Sequence, residues 1–197
     1  EKLTKAASQG ALKKLAEKYT LVFPGELDGQ TPFADVRLGW SEHGLQIDVA
    51  VAEKTTAPVG SVKDPLSGDG LQLWIDTRNT PGVPPANRFC HLIVAQPSGG
   101  GKDADEPVAQ MLEVPRAREK SPLAEPTQLK VKSQIKADSY LLQLWIPAEA
   151  LNGFDPDQSP RIGFFYAVRD REKGLQTAGV GEEFPFHSDP SLWQTIE

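Results

Sequence analysis

The sequence predicts an antiparallel β-sandwich preceded by a short N-terminal helix. Short segments of alternating apolar and polar residues run from residue 19 to the end of the 197-residue chain, and 17 Gly and 17 Pro punctuate them. Regular short strands separated by turn residues are typical of β-sandwiches. A chain of this length buries a core without disulfides, and its lone cysteine, Cys90, cannot form one within the chain.

Residues 1–18 differ from the rest of the chain and are interpreted as a helical arm or linker. They are rich in Lys and Ala, and a thin apolar stripe that includes Leu12 and Leu15 predicts a weakly amphipathic helix. Gly10 weakens this helix by about 1 kcal/mol relative to Ala. The arm either docks on another domain or packs loosely on the sandwich, which we assign to residues 19–197.

The alternation assigns the strands in chain order. Residues 36–40 and 45–51 form a first hairpin, with Gly44 in the turn. Residues 88–94 and 108–114 form another hairpin around a long polar tip. Residues 129–135 and 140–146 form a further hairpin across the turn KADS, and the remaining strands are predicted at 71–75, 161–168 and 191–197. The segment RIGFFYAV is almost entirely apolar, so we expect both faces of its strand to be covered.

The pentapeptide LQLWI occurs twice, at residues 71–75 and 142–146. The residues that flank the two copies differ, whereas a duplication would repeat them at a fixed period. Strand alternation places the two Leu and the Ile of each copy on one face, and the Gln and Trp on the other. The first face is expected to form the core. On the other face, Trp74 and Trp145 either pack under loops or serve as stacking platforms.

The acidic composition disfavours some classes of partner. The formal net charge is −6 and the pI is about 5.2, so we expect no binding to nucleic acid and none to anionic membrane surfaces. No apolar run approaches the roughly 20 residues that span a bilayer, and membrane insertion is therefore not expected. A neutral ligand such as a sugar is compatible with this charge.

No motif for catalysis or for metal binding stands out. The Gly-rich SGGGKDAD lacks the Ser or Thr that ends a phosphate-binding loop and is interpreted as a hairpin tip. His43, His91 and His187 lack metal-ligand spacing, and no G-x-S-x-G elbow occurs. We expect no enzyme activity, no metal and no cofactor, although the clusters KDADE and DPDQSP offer oxygen ligands for a structural calcium ion.

Five segments follow one another in an order that resembles carbohydrate-binding module family 9 and the related DOMON-like β-sandwiches. They are VRLGWSEHGLQIDVAV, GDGLQLWIDTRN, NRFCHLIV, YLLQLWIPAEAL and RIGFFYAVRDRE. The matching features are a Gly-Asp strand at residues 68–76, a strand and short helical turn at 146–151, and an apolar strand that leads to Asp170. The resemblance covers roughly residues 28–197 and implies a sandwich that binds carbohydrate.

The resemblance also implies where a sugar would bind. Family members that bind sugar use two facing aromatic rings, an acidic residue on the Gly-Asp strand and an Arg on the next strand. Arg88 stands at the position of that Arg, and Gln72 replaces the acid, although its amide can still hydrogen-bond a hydroxyl group. Leu66 stands where the first ring is expected. Candidates for the second ring are Phe184, Phe186 and Trp193.

The residue types point to the same surface. If Gln72 and Trp74 face away from the core, and Arg88 on the adjacent strand points the same way, one face presents an amide, an indole and a guanidinium. This combination of donors, acceptors and a flat ring is what a neutral polyol needs. Alternatively, Arg88 pairs with a carboxylate such as Asp76 and only fastens the surface of the sheet.

We therefore predict a non-catalytic carbohydrate-binding module that binds a neutral carbohydrate. The predicted ligand-binding residues are Gln72, Trp74, Arg88, Phe186 and Trp193. We expect the domain to be part of a longer extracytoplasmic protein, whether secreted, periplasmic or on the cell surface, with neighbouring domains as further partners.

Two alternatives stay open at this point. The first is a structural or protein-interaction sandwich that has lost sugar binding, and the replacements at Leu66 and Gln72 favour it. The second is a haem-binding DOMON-type redox domain, in which Met111 and His91 on paired strands would hold the iron.

Overall fold

The computed structural model describes residues 12–29, 31–80 and 85–197, which form two antiparallel sheets packed face to face. The strands are β1 (Ala34–Ser41), β2 (Gly44–Val51), β3 (Gly70–Asp76), β4 (Cys90–Gly100), β5 (Glu106–Leu112), β6 (Lys130–Ile135), β7 (Tyr140–Pro147), β8 (Ile162–Asp170), β9 (Gly174–Thr177) and β10 (Gln194–Ile196). Short 3-10 turns lie at Glu17–Tyr19, Pro24–Asp28, Pro126–Gln128, Ala148–Ala150 and Pro190–Leu192. The predicted all-β sandwich is confirmed.

The strand order combines predicted hairpins with pairings between distant segments. The first sheet has the order β1-β2-β7-β6, and the second has the order β10-β8-β3-β4-β5, with β9 beside β10 on the same edge of β8. The pairs β1–β2, β4–β5 and β6–β7 are the predicted hairpins. The pairs β2–β7 and β3–β8 join strands far apart in sequence, and the second of these pairs brings together two parts of the site described below.

The core follows the predicted alternation. Leu71, Leu73 and Ile75 of β3 are at most 1% exposed, and they belong to one hydrophobic core with the inward residues of β2, β7 and β8. Each fully buried aliphatic side chain stabilises the fold by roughly 1.5–3 kcal/mol. The two LQLWI copies lie in different sheets, and both direct their Leu and Ile residues into this core.

Gly44 is required by the β1–β2 turn, as predicted. Its φ is +143°, and a Cβ at this position would lie 2.1 Å from the carbonyl oxygen of Ile146 on β7. Any side chain would therefore push β7 away from the hairpin. The turn places Ser41 opposite Gly44 and fixes the register of β1 and β2.

Both sheets have outer faces that other segments cover. Phe186 packs on Trp74 at the outer face of the second sheet, with ring centroids 5.3 Å apart, and residues 12–16 hydrogen-bond to the outer face of the first. Trp74 and Trp145 are consequently 1% and 4% exposed. Of the two roles expected for these Trp residues, the structure therefore shows packing.

The arm is not α-helical over its described residues, and residues 1–11 lie outside the described part of the chain. Residues 12–16 have no helical assignment, and one 3-10 turn follows at Glu17–Tyr19. The N–H of Leu15 donates to Asp48 and its carbonyl oxygen accepts from Arg37. These bonds to the sheet replace those that a helix would make, and the thin apolar stripe offers little to oppose them.

Candidate functional site

A buried carboxylate fixes the point at which β3 begins. Asp69 is 1% exposed and accepts hydrogen bonds from the N–H of Val59 at 2.9 Å and of Arg171 at 2.7 Å. It thereby ties the loop before β3 to the turn after β8. A carboxylate that accepts backbone N–H groups holds a loop more firmly than solvent-exposed contacts do.

A second buried carboxylate fixes the end of β8. Asp170 accepts two hydrogen bonds from Nζ of Lys54, at 2.7 Å and 2.6 Å, and both side chains are almost fully buried. One of its oxygens also accepts the N–H groups of Glu172 and Lys173. The side chain of Arg169, the residue before Asp170, therefore projects from a firmly held position at the end of β8.

A depression of about 370 Å³ lies where β3 begins and β8 ends. It is lined by Leu66, Gln72, Arg169, Glu182, Phe186 and His187. The β3–β8 register sets Gly70 opposite Arg169 and Gln72 opposite Ala167. Directly paired residues project to the same face of a sheet, so the long side chains of Arg169 and Gln72 emerge together, and the small residues between them leave room.

Arg169 supplies the cationic group of the depression. Its Nη2 donates to Oε1 of Glu182 in an ion pair, and the two side chains are 37% and 60% exposed. Such an exposed pair contributes little stability, but it orients the guanidinium. The Nε of Arg169 is buried and has no hydrogen-bond partner within the described ranges, which leaves one donor unsatisfied at this site.

Gln72 supplies an amide at the same site. It is partly exposed, and its Nε2 donates to the carbonyl oxygen of Leu66 at 3.0 Å. With its N–H group used in this way, Oε1 is left as an acceptor. Gln72 therefore offers an uncharged oxygen acceptor in the depression that Arg169 also lines.

An aromatic cluster of Trp74, Phe165 and Phe186 lies behind the depression. Phe165 and Phe186 stack with centroids 4.7 Å apart, and Trp74 meets both rings edge to face, at 6.1 Å and 5.3 Å. The expectation that Trp74 presents its indole to a ligand is wrong. An indole on an outer sheet face is a large apolar surface, and the C-terminal segment buries it.

Trp193 and Phe186 are also buried, at 7% and 6% exposure. The indole N–H of Trp193 donates to the carbonyl oxygen of Phe186 at 2.8 Å. Trp193 therefore positions Phe186, and its predicted role as a stacking ring is not compatible with its burial. Phe186 also lines the depression, so its contact with a ligand stays a prediction.

Arg88 does not join the site. It is exposed in the turn before β4, with its guanidinium 5.1 Å from the ring centroid of Phe89. The register sets Gln72 opposite Val94, so Arg88 lies beyond the far end of β3. β3 and β4 are adjacent as predicted, but Arg88 does not meet Gln72 across their ladder. Asp76, the alternative partner, instead accepts two N–H groups of the turn that follows it.

Sequence reasoning missed Arg169, Glu182 and His187 as site residues. A signal for Arg169 was present, since alternation from Phe165 along RIGFFYAVRD places it on the outer face of its strand. Its pairing partner, β3, is almost a hundred residues away and is not readable from local pattern. Glu182 and His187 belong to the irregular segment 178–193, which has no period to interpret.

His91 and Met111, the residues of the haem alternative, already have partners. Nδ1 of His91 lies 3.0 Å from Oγ of Ser121, and its Nε2 lies 3.4 Å from the carbonyl oxygen of Asn152. Burial lowers the pKa of His91 to about 4. The sulfur of Met111 accepts the N–H of Ala124 at 3.4 Å. Neither side chain is presented as a free ligand for iron.

No site for the calcium ion considered from the sequence is found in the described part of the chain. No group of three or more His, Cys, Asp and Glu side chains there is arranged to hold a metal ion. In the DPDQSP segment, Oδ1 of Asp155 accepts the N–H groups of Asp157 and Gln158. That carboxylate shapes its own turn.

Comparison with solved structures identifies the fold. A family 9 carbohydrate-binding module from Caldicellulosiruptor kristjanssonii in complex with cellotriose superposes with a TM-score of 0.65 at 11% identity, covering 100% of this chain and 93% of the module. The same organism's module in complex with glucose gives a TM-score of 0.60 at 10% identity, covering 100% and 94%. A candidate carbohydrate-binding protein from Bacteroides uniformis gives 0.60 at 12%, covering 100% and 97%.

These likenesses show that the chain has the fold of family 9 carbohydrate-binding modules. No protein-family model matches the sequence, and no curated protein matches it either. The fold resemblance drawn from the five sequence segments is thus confirmed. What the chain binds has to be argued from its own residues.

Proposed function

We propose that the protein is a non-catalytic carbohydrate-binding module and that its ligand site is the depression at Gln72 and Arg169. The observation that carries the proposal is the buried Nε–H of Arg169, which has no partner among the described residues, in a depression that the Gln72 amide also lines. A buried donor without a partner costs roughly 1–3 kcal/mol. A ligand hydroxyl that reaches this donor recovers that free energy.

The groups that line the depression suit a neutral polyol. The guanidinium, amide, carboxylate and imidazole of Arg169, Gln72, Glu182 and His187 provide donors and acceptors in fixed planar arrangements. Arg169 and Glu182 neutralise each other, so the site does not select a charged ligand. Fold likeness to modules solved with cellotriose and glucose supports the same class of ligand.

A second function, a protein-interaction sandwich without sugar binding, is favoured by one observation. Leu66, which is 41% exposed, stands at the depression in place of a ring, and Trp74 and Trp193 are sealed. Stacking on aromatic faces is a large part of sugar affinity in a wet site. If this second function is correct, the depression binds no sugar at all.

The proposed function is tested by calorimetric titration of the full chain with neutral sugars, beginning with glucose, cellobiose and cellotriose. We expect saturable binding that changes little with ionic strength, because the ligand is uncharged. Arg169→Met should weaken it by about tenfold or more, since hydrogen bonds to a charged group contribute roughly 1.5–3 kcal/mol.

Arg88→Met is the matched control, because it removes an exposed guanidinium at the other end of the same sheet. This variant should bind as the unmodified chain does. Equal losses in both variants would contradict the assignment of the site. No binding by any sugar of a broad neutral panel would favour the interaction sandwich.

We further propose that the domain works outside the cytoplasm, as part of a longer secreted, periplasmic or surface protein, because carbohydrate polymers are found there. Across the described residues, no helix is both long enough and apolar enough to cross a membrane. Fractionation of the source cells, followed by detection of the chain, tests this location.

A further inference from the structure

The outer face of the four-stranded sheet holds residues 12–16, here called the strap, by their main chain. The N–H of Leu15 donates to Oδ2 of Asp48 at 2.7 Å. The carbonyl oxygen of the same residue accepts from Nη1 of Arg37 at 2.7 Å. Both main-chain groups of one strap residue are therefore bonded to side chains of the sheet.

A third contact lies two residues earlier in the strap. Nε2 of Gln46 donates to the carbonyl oxygen of Lys13 at 2.7 Å and to Oδ1 of Asp48 at 2.9 Å. Nε2 of Gln143 lies 3.3 Å from Asp48 and supports it from the neighbouring strand. These side chains, Arg37, Gln46, Asp48 and Gln143, form what we call the groove.

One side chain of the strap is buried as well. Leu15 is 6% exposed, and Trp145, which pairs with Gln46 across the β2–β7 ladder, is 4% exposed. Neither belongs to the main hydrophobic core. The strap can therefore leave the sheet without opening the core, and its departure exposes apolar side chains that lie outside that core.

Binding of the strap keeps the carboxylate of Asp48 buried, which is energetically unfavourable. Its carboxylate is 1% exposed and is stabilised by hydrogen bonds from Leu15, Gln46 and Gln143, while the ion pair of Arg37 is made with Asp35. Burial of an ionised carboxylate without its own ion pair is unfavourable. When the strap leaves, water hydrates the carboxylate of Asp48. This hydration offsets part of the free energy that is lost with the hydrogen bonds to the strap.

We propose that the groove is a receptor for an extended peptide segment and that a second copy of this chain can fill it with its own strap. Three main-chain contacts and one leucine define the ligand, and every copy carries a segment that meets this description by construction. Only the 3-10 turn Glu17–Tyr19 separates the strap from Thr20, which bridges to Arg37 at the sheet edge. Exchange of an identical element between two copies is a low-cost route to a dimer.

The test pairs two complementary full-chain variants. Leu15→Asp prevents the strap from binding and leaves the groove intact. Gln46→Glu prevents the groove from binding a strap, because a carboxylate then faces Asp48 and the carbonyl oxygen of Lys13. Each variant alone should sediment as a monomer at about 100 µM, and a 1:1 mixture should contain a heterodimer. Circular dichroism first establishes that both variants fold. If either does not, Leu15→Gly replaces the strap variant and Arg37→Met replaces the groove variant.

A mixture that stays monomeric overturns the proposal, and so does a dimer formed by either variant alone. A second readout uses a labelled peptide of residues 12–20 and the Leu15→Asp chain, followed by fluorescence anisotropy. Binding of this peptide should weaken by at least about tenfold when the nitrogen of Leu15 is methylated, since Asp48 then loses its donor.

The matched control peptide carries Lys13→Ala and Lys14→Ala, changes that leave every main-chain contact in place. It should bind within about threefold of the unchanged peptide. Equal binding of the methylated and unchanged peptides would show that the groove does not recognise main-chain groups of the strap, and the proposal would then be wrong.

Discussion

Lys54 and Asp170 form a fully buried ion pair in which Nζ of Lys54 lies 2.6 Å from Oδ2 of Asp170. Lys54 follows β2 of one sheet and Asp170 ends β8 of the other, so the pair joins the two layers. It also fixes Arg169, the neighbouring residue that supplies the guanidinium of the proposed site. A buried charge left without its partner is strongly destabilising.

Lys54→Met should therefore lower the free energy of unfolding by about 3–5 kcal/mol, because Asp170 stays buried without a counter-charge. Urea unfolding followed by circular dichroism measures the change. The matched control is Lys120→Met, which breaks the exposed pair with Glu113 and should cost less than about 1 kcal/mol. The double variant Lys54→Met with Asp170→Asn should recover part of the loss, and similar losses in Lys54→Met and Lys120→Met would contradict this assignment.

The free energy of unfolding should decrease as the pH is lowered through the range in which His91 takes up a proton in the unfolded chain but not in the folded chain. Burial lowers the pKa of His91 from 6.5 to about 4, so between these values the unfolded chain binds a proton that the folded chain does not. The free energy of unfolding contributed by this group therefore decreases as the pH falls from about 6.5 to 4, by at most about 3 kcal/mol.

His91→Gln should remove that part of the pH dependence, as measured by urea unfolding at several pH values. His43→Gln, which removes an exposed imidazole at the β1–β2 turn, is the control and should leave the profile as it is. An unchanged profile in His91→Gln would show that other groups set the acid sensitivity.

Gln176 joins the two sheets through main-chain contacts. Its Oε1 accepts the N–H groups of Phe33 and Ala34, and its Nε2 donates to the carbonyl oxygen of Ala34, all at 2.9 Å. Gln176→Leu should lower the free energy of unfolding by at least about 2 kcal/mol, because buried polar groups lose their partners.

Thermal unfolding with a matched exposed variant, Gln134→Leu on β6, checks this contribution. The exposed substitution should change the stability by no more than about 0.5 kcal/mol. If the two variants unfold at the same temperature, Gln176 does not join the sheets in the way its contacts indicate.

Period-two alternation was enough to predict the sandwich and its core. The inward positions of β3 and β7, such as Leu73 and Leu144, are buried as the pattern requires, because a strand side chain has only two faces to choose from. The β1–β2 hairpin was readable for a similar reason, since Gly44 adopts a conformation that few other residues tolerate.

The site was harder to predict because it depends on register and on irregular chain. Pairing of β3 with β4 was foreseen, but the position of Arg88 along that ladder was not, and the error moved the guanidinium to the wrong end of the sheet. Arg169 reaches Gln72 through a pairing between distant strands. Alternation also cannot tell an outer face open to solvent from one that Phe186 covers.

The most direct test of the account follows the Nε–H signal of Arg169 by nuclear magnetic resonance while a neutral sugar is added to the full chain. Loss of the cross-peak in Arg169→Lys assigns the signal, and the Nε–H of Arg88 serves as the internal reference. With cellotriose, or with the panel sugar that gives the largest heat, we expect the Arg169 signal to shift and saturate while that of Arg88 stays in place. A sugar that binds without moving the Arg169 signal, or a panel in which nothing binds, would contradict a sugar site at this depression.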